Sequence, residues 1–147
     1  MDRCLSNLPY MRRLLKTASK RASWWDKLWA DDFMKLIRST KEKYREEFSL
    51  LYDSLYDRGL PVSYLLKQGY VLCMQTLIFQ HMDFSTAGRV TSCLAFLVYV
   101  IDRWSDLRDD LSFDYILDSI TIPLWQLSQF GEIVSGGPHD NPTLERQ

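Results

Sequence analysis

Apolar residues recur every three or four positions along most of the chain, which is the spacing of one face of an α-helix. Each such stripe predicts an amphipathic helix, and together the stripes predict an all-α fold. In chain order they comprise Leu8, Met11, Leu14 and Leu15; Trp25, Leu28, Trp29, Phe33, Leu36 and Ile37; Tyr44, Phe48, Leu51 and Leu55; Leu65, Leu66, Cys73, Met74, Leu77 and Ile78; and Phe113, Ile116, Leu117 and Ile120.

Capping and breaking residues predict where the early helices begin and end. Ser23 followed by Asp26 resembles a capping box with Asp in place of Glu, so a second helix is expected from there to about Arg38. A third helix should stop at the Gly59 and Pro61 pair, because neither residue continues a helix well.

Similar signals divide the second half of the chain. Gly69 interrupts the pattern between residues 62 and 82, which predicts either one helix or two short ones. Ser112 is expected to cap the last clear helix, and Pro123 to kink or restart it.

The segment from Val90 to Trp104 is apolar on nearly every side and follows a capping residue, Ser85 or Thr86. Its β-branched residues would also permit a buried strand, but no second strand-like run offers it a sheet. The pattern therefore favours a helix in the middle of a bundle.

Length and composition indicate a single folded domain over residues 1–130. The chain has 147 residues, of which 46% are hydrophobic, so it can close one core. Residues 131–147 contain Gly, Pro and polar residues without periodicity and are expected to form a disordered tail. A net charge of −1 argues against a nucleic-acid partner.

The cysteines and the N-terminus indicate a reducing compartment and no export. Cys4, Cys73 and Cys93 form neither a disulfide framework nor a metal half-site. The longest apolar run, residues 93–101, is far shorter than the roughly 20 residues of a spanning helix. The basic face of the N-terminal helix is either solvated or in contact with an acidic membrane surface, so membrane association is expected to be peripheral at most.

The residues offer little catalytic or metal-binding chemistry. Only two histidines occur, His81 and His139, so no catalytic triad can be assembled. His81 and Asp83 are two potential metal ligands, which is too few for a good site, and a surface pair is the better interpretation. We therefore expect neither enzymatic activity nor a cofactor.

One stretch carries a specific resemblance. The sequence HMDFSTAGRVTSCLAFLVYVIDRWSD, residues 81–106, resembles the early region 1B small T antigens of adenoviruses, which have an Asp-Phe-Ser-Thr-Pro-Gly-Arg core before an apolar helix. The resemblance extends to the Trp-rich opening at 23–29, to KEKYREEF at 41–48 and to the Leu-Trp pair at 124–125.

That viral family is similar to Bcl-2 proteins, so the resemblance implies a Bcl-2-like helical bundle around a central apolar helix. It also implies an inhibitor of host apoptosis that binds pro-apoptotic proteins such as Bax and Bak through a hydrophobic groove and prevents mitochondrial pore formation. The expected location is the host cell cytoplasm, with mitochondrial, endoplasmic-reticulum or nuclear-envelope membranes as further sites.

The resemblance assigns Gly88 and Arg89 to the Gly-Arg pair of the first Bcl-2 homology region. A glycine lets a partner backbone approach closely, and an arginine can bond a partner aspartate. The expected apolar floor joins residues of the central helix region to residues of the third helix. These are Phe84, Val90, Leu94 and Leu97, facing Tyr44, Phe48, Leu51 and Leu55.

One departure from the Bcl-2 pattern and one alternative accompany this interpretation. Thr86 and Ala87 stand where cellular Bcl-2 proteins have Asn-Trp, so contacts of that tryptophan are lost. The alternative is an adaptor with the same bundle but no groove, which binds host factors through exposed Trp24, Trp25 and Trp29. Helical spacing favours burial of these tryptophans in the core.

Overall fold

The computed structural model describes the backbone of residues 5–136 and the side chains of residues 5–129, and this part of the chain is mostly helical. Its helices are α1 (Leu8–Ala18), α2 (Trp24–Leu28), α3 (Asp32–Lys43), α4 (Arg45–Ser54), α5 (Val62–Gln68), α6 (Val71–Phe79), α7 (Ala87–Leu107) and α8 (Phe113–Gly136). Between α4 and α5, strands β1 (Tyr56–Asp57) and β2 (Leu60–Pro61) pair antiparallel.

Helix α7 forms the centre of the core, as its sequence predicts. Every residue from 94 to 101 is buried, and Trp104 is fully buried one turn later. Because residues 94–101 are apolar on all sides of the helix, this part of α7 can be surrounded by other helices, and α7 packs against α1, α3, α4, α5 and α8. The prediction of a central apolar helix is confirmed.

Helix α1 packs its apolar stripe onto this centre. Met11, Leu14 and Leu15 are fully buried, and Asn7 caps the helix by accepting a hydrogen bond from the Tyr10 N–H at 2.9 Å. On its basic face, Arg12 forms ion pairs with Asp114 and Asp118 of α8, with the shortest distances at 3.0 and 2.7 Å. Part of the predicted basic face is therefore paired with acidic residues of the chain itself.

The expected second helix is two helices. The capping box at Ser23 and Asp26 forms, with hydrogen bonds of 3.0 and 2.8 Å, but the helix that it begins ends at Leu28. Asp31 then caps α3 by accepting a hydrogen bond from the Met34 N–H at 2.8 Å. A second capping residue inside the apolar pattern explains why the helix breaks there.

Left-handed glycines mark two further breaks. Gly69 has φ +82° and separates α5 from α6, which selects two short helices over one. Arg58 and Gly59, with φ of 56° and 82°, form the turn of the β1–β2 hairpin. The all-α prediction omitted this hairpin, because its strands are only two residues long.

Helix α8 begins after Ser112, whose hydroxyl accepts a hydrogen bond from the Tyr115 N–H at 3.1 Å. It continues through Pro123 to Gly136, past the predicted end of the domain at residue 130. The rest of the predicted tail, residues 137–147, lies outside the described residues.

Candidate partner-binding site

Gly88 and Arg89 lie in the first turn of α7, and both are exposed. Thr86 sets this turn, because its hydroxyl accepts a hydrogen bond from the Arg89 N–H at 3.2 Å. No atom lies within 4 Å of the position that a side chain at Gly88 would occupy, so open space surrounds the glycine. A partner could therefore approach the backbone at Gly88.

The Arg89 side chain is 63% exposed and forms an ion pair with Asp83 in the preceding loop. Asp83 also accepts a hydrogen bond from the Ser85 N–H at 2.9 Å. Hydrogen bonds from Ser85, followed by the one from Arg89, lower the pKa of Asp83 to about 2. The arginine is accessible, but it has a carboxylate partner in its own chain.

Cys93 of α7 holds this loop against the helix. Its Sγ lies 3.4 Å from both the backbone N and the backbone O of Asp83. Burial raises the pKa of the Cys93 thiol, which keeps it in the neutral form that can donate to the Asp83 carbonyl. The loop therefore presents the Asp83 carboxylate to Arg89 from a fixed position.

Most of the predicted apolar floor is covered by the rest of the protein. Val90, Leu94 and Leu97 are at most 3% exposed, and Phe48 and Leu55 are at most 8% exposed. These side chains belong to the core, so they do not line an open groove in this conformation. A partner helix could reach them only if the elements around α7 separated.

The contact between α4 and α7 uses central-helix residues other than the predicted ones. Phe48 packs edge-on against Phe96 with ring centroids 5.6 Å apart, and Tyr52 packs against Tyr99 at 5.9 Å. Arg103 donates a hydrogen bond to the Tyr99 hydroxyl at 2.8 Å and lies 4.6 Å from the centre of the Tyr52 ring. The helical spacing of aromatic residues within α4 and within α7 could have suggested this cluster.

Burial also affects the ionisation of Tyr52. Its side chain is 1% exposed, and desolvation raises its pKa to about 12 even though the nearby Arg103 guanidinium acts in the opposite direction. The phenol therefore stays neutral under physiological conditions, which suits its place in the aromatic cluster between α4 and α7.

Several candidate residues remain accessible beside the covered floor. Tyr44, the residue before α4, and Leu51 of α4 are 40% and 39% exposed, and Phe84 is half-buried next to the Gly88 and Arg89 turn. Further exposed apolar side chains lie on the hairpin and on α5; they are Tyr56, Leu60 and Tyr64. The accessible part of the predicted site thus consists of Gly88, Arg89, Phe84, Tyr44 and Leu51.

The tryptophans of the N-terminal region are on the surface, so the expectation that they are buried is wrong. Trp24, Trp25 and Trp29 are 65%, 61% and 66% exposed. The break between α2 and α3 explains the error, because a five-residue helix need not align its apolar face with the stripe of the next helix. No residue of α2 is buried.

Two clefts lie away from the accessible part of the predicted site. One cleft of about 540 Å³ lies beside Pro9 and Trp125, and another of about 370 Å³ lies between α6 and α8 beside Phe79 and Pro123. Among the side chains of residues 5–129, no three His, Cys, Asp or Glu residues are grouped as metal ligands. No helix in the described part of the chain is long and apolar enough to cross a membrane.

Comparison with known proteins links this chain to one viral family. The family model for "Adenovirus E1B 19K protein / small t-antigen" matches residues 1–134. The "E1B protein, small T-antigen" of Human adenovirus A serotype 12 is 35% identical over 128 residues, which cover 86% of this chain and 75% of the relative. The protein of the same name from Human adenovirus C serotype 2 is 35% identical over 127 residues, covering 84% and 68%. No solved structure gives a significant match.

Proposed function

Because the chain belongs to the adenovirus E1B 19K and small T-antigen family, we propose that it suppresses apoptosis of an infected host cell. It binds the amphipathic death-promoting helix of pro-apoptotic Bcl-2 family proteins similar to Bax and Bak. Binding keeps these proteins from assembling a pore in the mitochondrial membrane. The protein acts in the host cytoplasm and at mitochondrial, endoplasmic-reticulum or nuclear-envelope membranes.

The observation that carries this proposal is the exposed Gly88 and Arg89 pair in the first turn of a buried central helix. The glycine leaves room for a second helix to come close, and the arginine offers planar, charge-assisted hydrogen bonds to a carboxylate. An amphipathic helix that carries an aspartate could use both features next to apolar contacts.

Arg89 fixes the register of the bound helix and contributes little to its affinity. An aspartate of the partner replaces Asp83 as the carboxylate that pairs with Arg89, so one exposed ion pair is exchanged for another. Such exposed pairs are each worth about 0–1 kcal/mol. Burial of apolar anchors must therefore supply most of the binding free energy.

The accessible side chains of Tyr44, Leu51 and Phe84 provide the first apolar contacts. Deeper anchors would have to reach Leu94 and Leu97, which requires elements around α7 to move away from it. Opening exposes apolar surface at a cost of about 25 cal/mol per Å². This cost lowers the apparent affinity for the partner helix, because only the open fraction of the protein binds.

The experiment titrates fluorescently labelled helix peptides from host Bax-like and Bak-like proteins with the purified chain and follows fluorescence anisotropy. Arg89→Glu reverses the charge that the partner aspartate meets, and we expect a loss of affinity of up to about tenfold, which corresponds to about 1.4 kcal/mol. Gly88→Glu should abolish binding, because its side chain would occupy the space that the partner backbone needs. That open space also lets the fold accept the substitution.

Lys35→Glu is the matched control, because it makes the same charge reversal at an exposed position of α3. It should leave peptide binding unchanged. Far-UV circular dichroism and thermal unfolding verify that all three variants are folded. Absence of peptide binding by the wild type, or equal binding by wild type and Arg89→Glu, would remove the proposed mechanism.

A groove-independent adaptor is the second candidate function, and the exposure of Trp24, Trp25 and Trp29 favours it. It predicts that Arg89→Glu leaves the capture of host proteins intact, whereas substitution of the tryptophans abolishes it. Exposure alone does not specify a protein partner, so helix binding remains the proposed function.

A further inference from the structure

Helix α2 and the residue after it present a cluster of large apolar side chains to solvent. Trp24, Trp25, Leu28 and Trp29, here called the tryptophan surface, are each more than half exposed. The rings of Trp24 and Trp25 pack edge-on, with centroids 4.6 Å apart. Exposed tryptophans that contact one another are uncommon on a protein that has no partner for them.

The cluster is held in a defined position. The capping box of Ser23 and Asp26 closes the start of α2, and Arg13 of α1 donates a hydrogen bond of 2.6 Å to the Trp29 carbonyl at its end. Lys16 lies 3.8 Å from the Asp26 carboxylate. The helix is therefore fixed to α1 through polar groups, which leaves its apolar side chains free for an external contact.

The segment around the tryptophan surface has an excess of basic residues, although the whole chain has a net charge of −1. Residues 12–35 contain seven basic residues and three acidic ones. Acidic residues elsewhere in the fold pair with Arg12 and Lys20. Neither Arg21 nor Lys27 forms an ion pair with any residue in the described part of the chain, and the Arg21 guanidinium lies over the Phe113 ring, 5.6 Å from its centre. Arg13 donates to the Trp29 carbonyl, and its charge helps to lower the pKa of the Asp26 carboxyl.

We propose that the tryptophan surface, together with the basic residues beside it, binds the surface of an anionic phospholipid membrane. Tryptophan is enriched at membrane interfaces, because its ring is apolar and its N–H is polar. Unpaired lysine and arginine side chains near the bilayer gain from the negative potential of anionic lipids. This inference does not depend on the helix-binding function.

A lipid surface fits these residues better than a protein partner does. Protein interfaces are typically depleted of lysine around their apolar centre, whereas Lys27 lies within the helix that carries the tryptophans. Peripheral membrane sites combine bulky apolar and basic side chains in this way, since the two groups contact the acyl boundary and the headgroups respectively.

The test is co-sedimentation of the full chain with vesicles of phosphatidylcholine alone or with added phosphatidylserine. We expect binding to the phosphatidylserine vesicles, weaker binding at higher salt, and a blue shift of tryptophan fluorescence on binding. Replacing Trp24, Trp25 and Trp29 with Ser should reduce binding at least tenfold. The combined substitutions Arg21→Gln and Lys27→Gln should reduce it by roughly 30-fold, on the phosphatidylserine vesicles only.

The matched control replaces three exposed tyrosines elsewhere, Tyr56, Tyr64 and Tyr70, with Ser and should bind vesicles as the wild type does. Because no residue of α2 is buried and Trp29 is 66% exposed, the tryptophan variant should keep its thermal unfolding midpoint and its affinity for helix peptides, if these bind. The proposal would be overturned if the wild type bound no vesicles or bound them equally with and without phosphatidylserine. It would also be overturned if the tryptophan variant bound as well as the wild type. The proposal would also be overturned if the tryptophan substitutions abolished capture of a host protein while the wild type bound no vesicles.

Discussion

The ion pair between Lys41 and Asp102 links α3 to the central helix, and Asp102→Asn tests its contribution to stability. The Lys41 Nζ lies 2.7 Å from the Asp102 carboxylate and 2.9 Å from the Ala18 carbonyl, and its side chain is 2% exposed. Removing one partner of a buried pair costs about 3–5 kcal/mol, because the other charge is left uncompensated. We expect about 3 kcal/mol, since the Glu42 carboxylate, 3.7 Å from Nζ, still offers partial compensation.

Lys41→Met should be less damaging than Asp102→Asn. The Asp102 carboxylate is 14% exposed and keeps the hydrogen bond of 3.0 Å from the Lys20 backbone N–H, so its charge is still partly compensated. The main loss is the hydrogen bond to the Ala18 carbonyl, worth about 1–2 kcal/mol. In the double variant no buried ammonium ion remains, so its cost should be close to that of Lys41→Met alone.

Urea unfolding followed by far-UV circular dichroism measures the free energy of unfolding of each variant. Lys35→Met is the control on the same helix, and because Lys35 is exposed its change should stay within about 0.5 kcal/mol. The reasoning is refuted if Asp102→Asn costs no more than Lys41→Met, or if the double variant costs the sum of the two single changes.

Two further predictions concern a backbone conformation and an ionisation. Gly69→Ala should lower the free energy of unfolding by about 1 kcal/mol, because φ is +82° there. Gly88→Ala, in the first turn of α7, should not lower it. Urea unfolding measures both variants, and equal effects would contradict the argument. The Asp83 carboxyl, with a pKa of about 2 against an ordinary 3.8, contributes stability that is complete above pH 3.8 and is lost as the pH falls through about 2. Carbon NMR titration should show Arg89→Gln raising this pKa only part of the way to 3.8, because the Ser85 hydrogen bonds remain, and an unchanged pKa would refute the role of Arg89.

The sequence predicts the central helix well and the N-terminal helices less well. The segment from Val90 to Trp104 is apolar on nearly every side, and a helix surrounded by others is the arrangement that buries such a pattern. The apolar stripe from Trp25 to Ile37, in contrast, looks continuous although Asp31 begins a new helix inside it. Periodicity does not reveal a change of helix axis, and this is why the burial of Trp29 was predicted wrongly.

The candidate site depends on tertiary contacts that a one-dimensional pattern does not contain. Helical spacing identifies Leu94 and Leu97 as apolar positions, but whether they line a groove or fill the core depends on what packs above them. Lys41 stands in a charged segment and is nevertheless buried, because its partner Asp102 comes 61 residues later in the chain. Such long-range pairs become visible only once the helices are in place.

The two proposed surfaces use separate residues and separate supporting contacts. The tryptophan surface is held on α1, where Arg13 donates a hydrogen bond to the Trp29 carbonyl. Gly88 and Arg89 lie in the first turn of α7, which the Thr86 hydroxyl caps. Because the two surfaces share no residue and no supporting hydrogen bond, membrane attachment and helix capture need not compete for the same side chains.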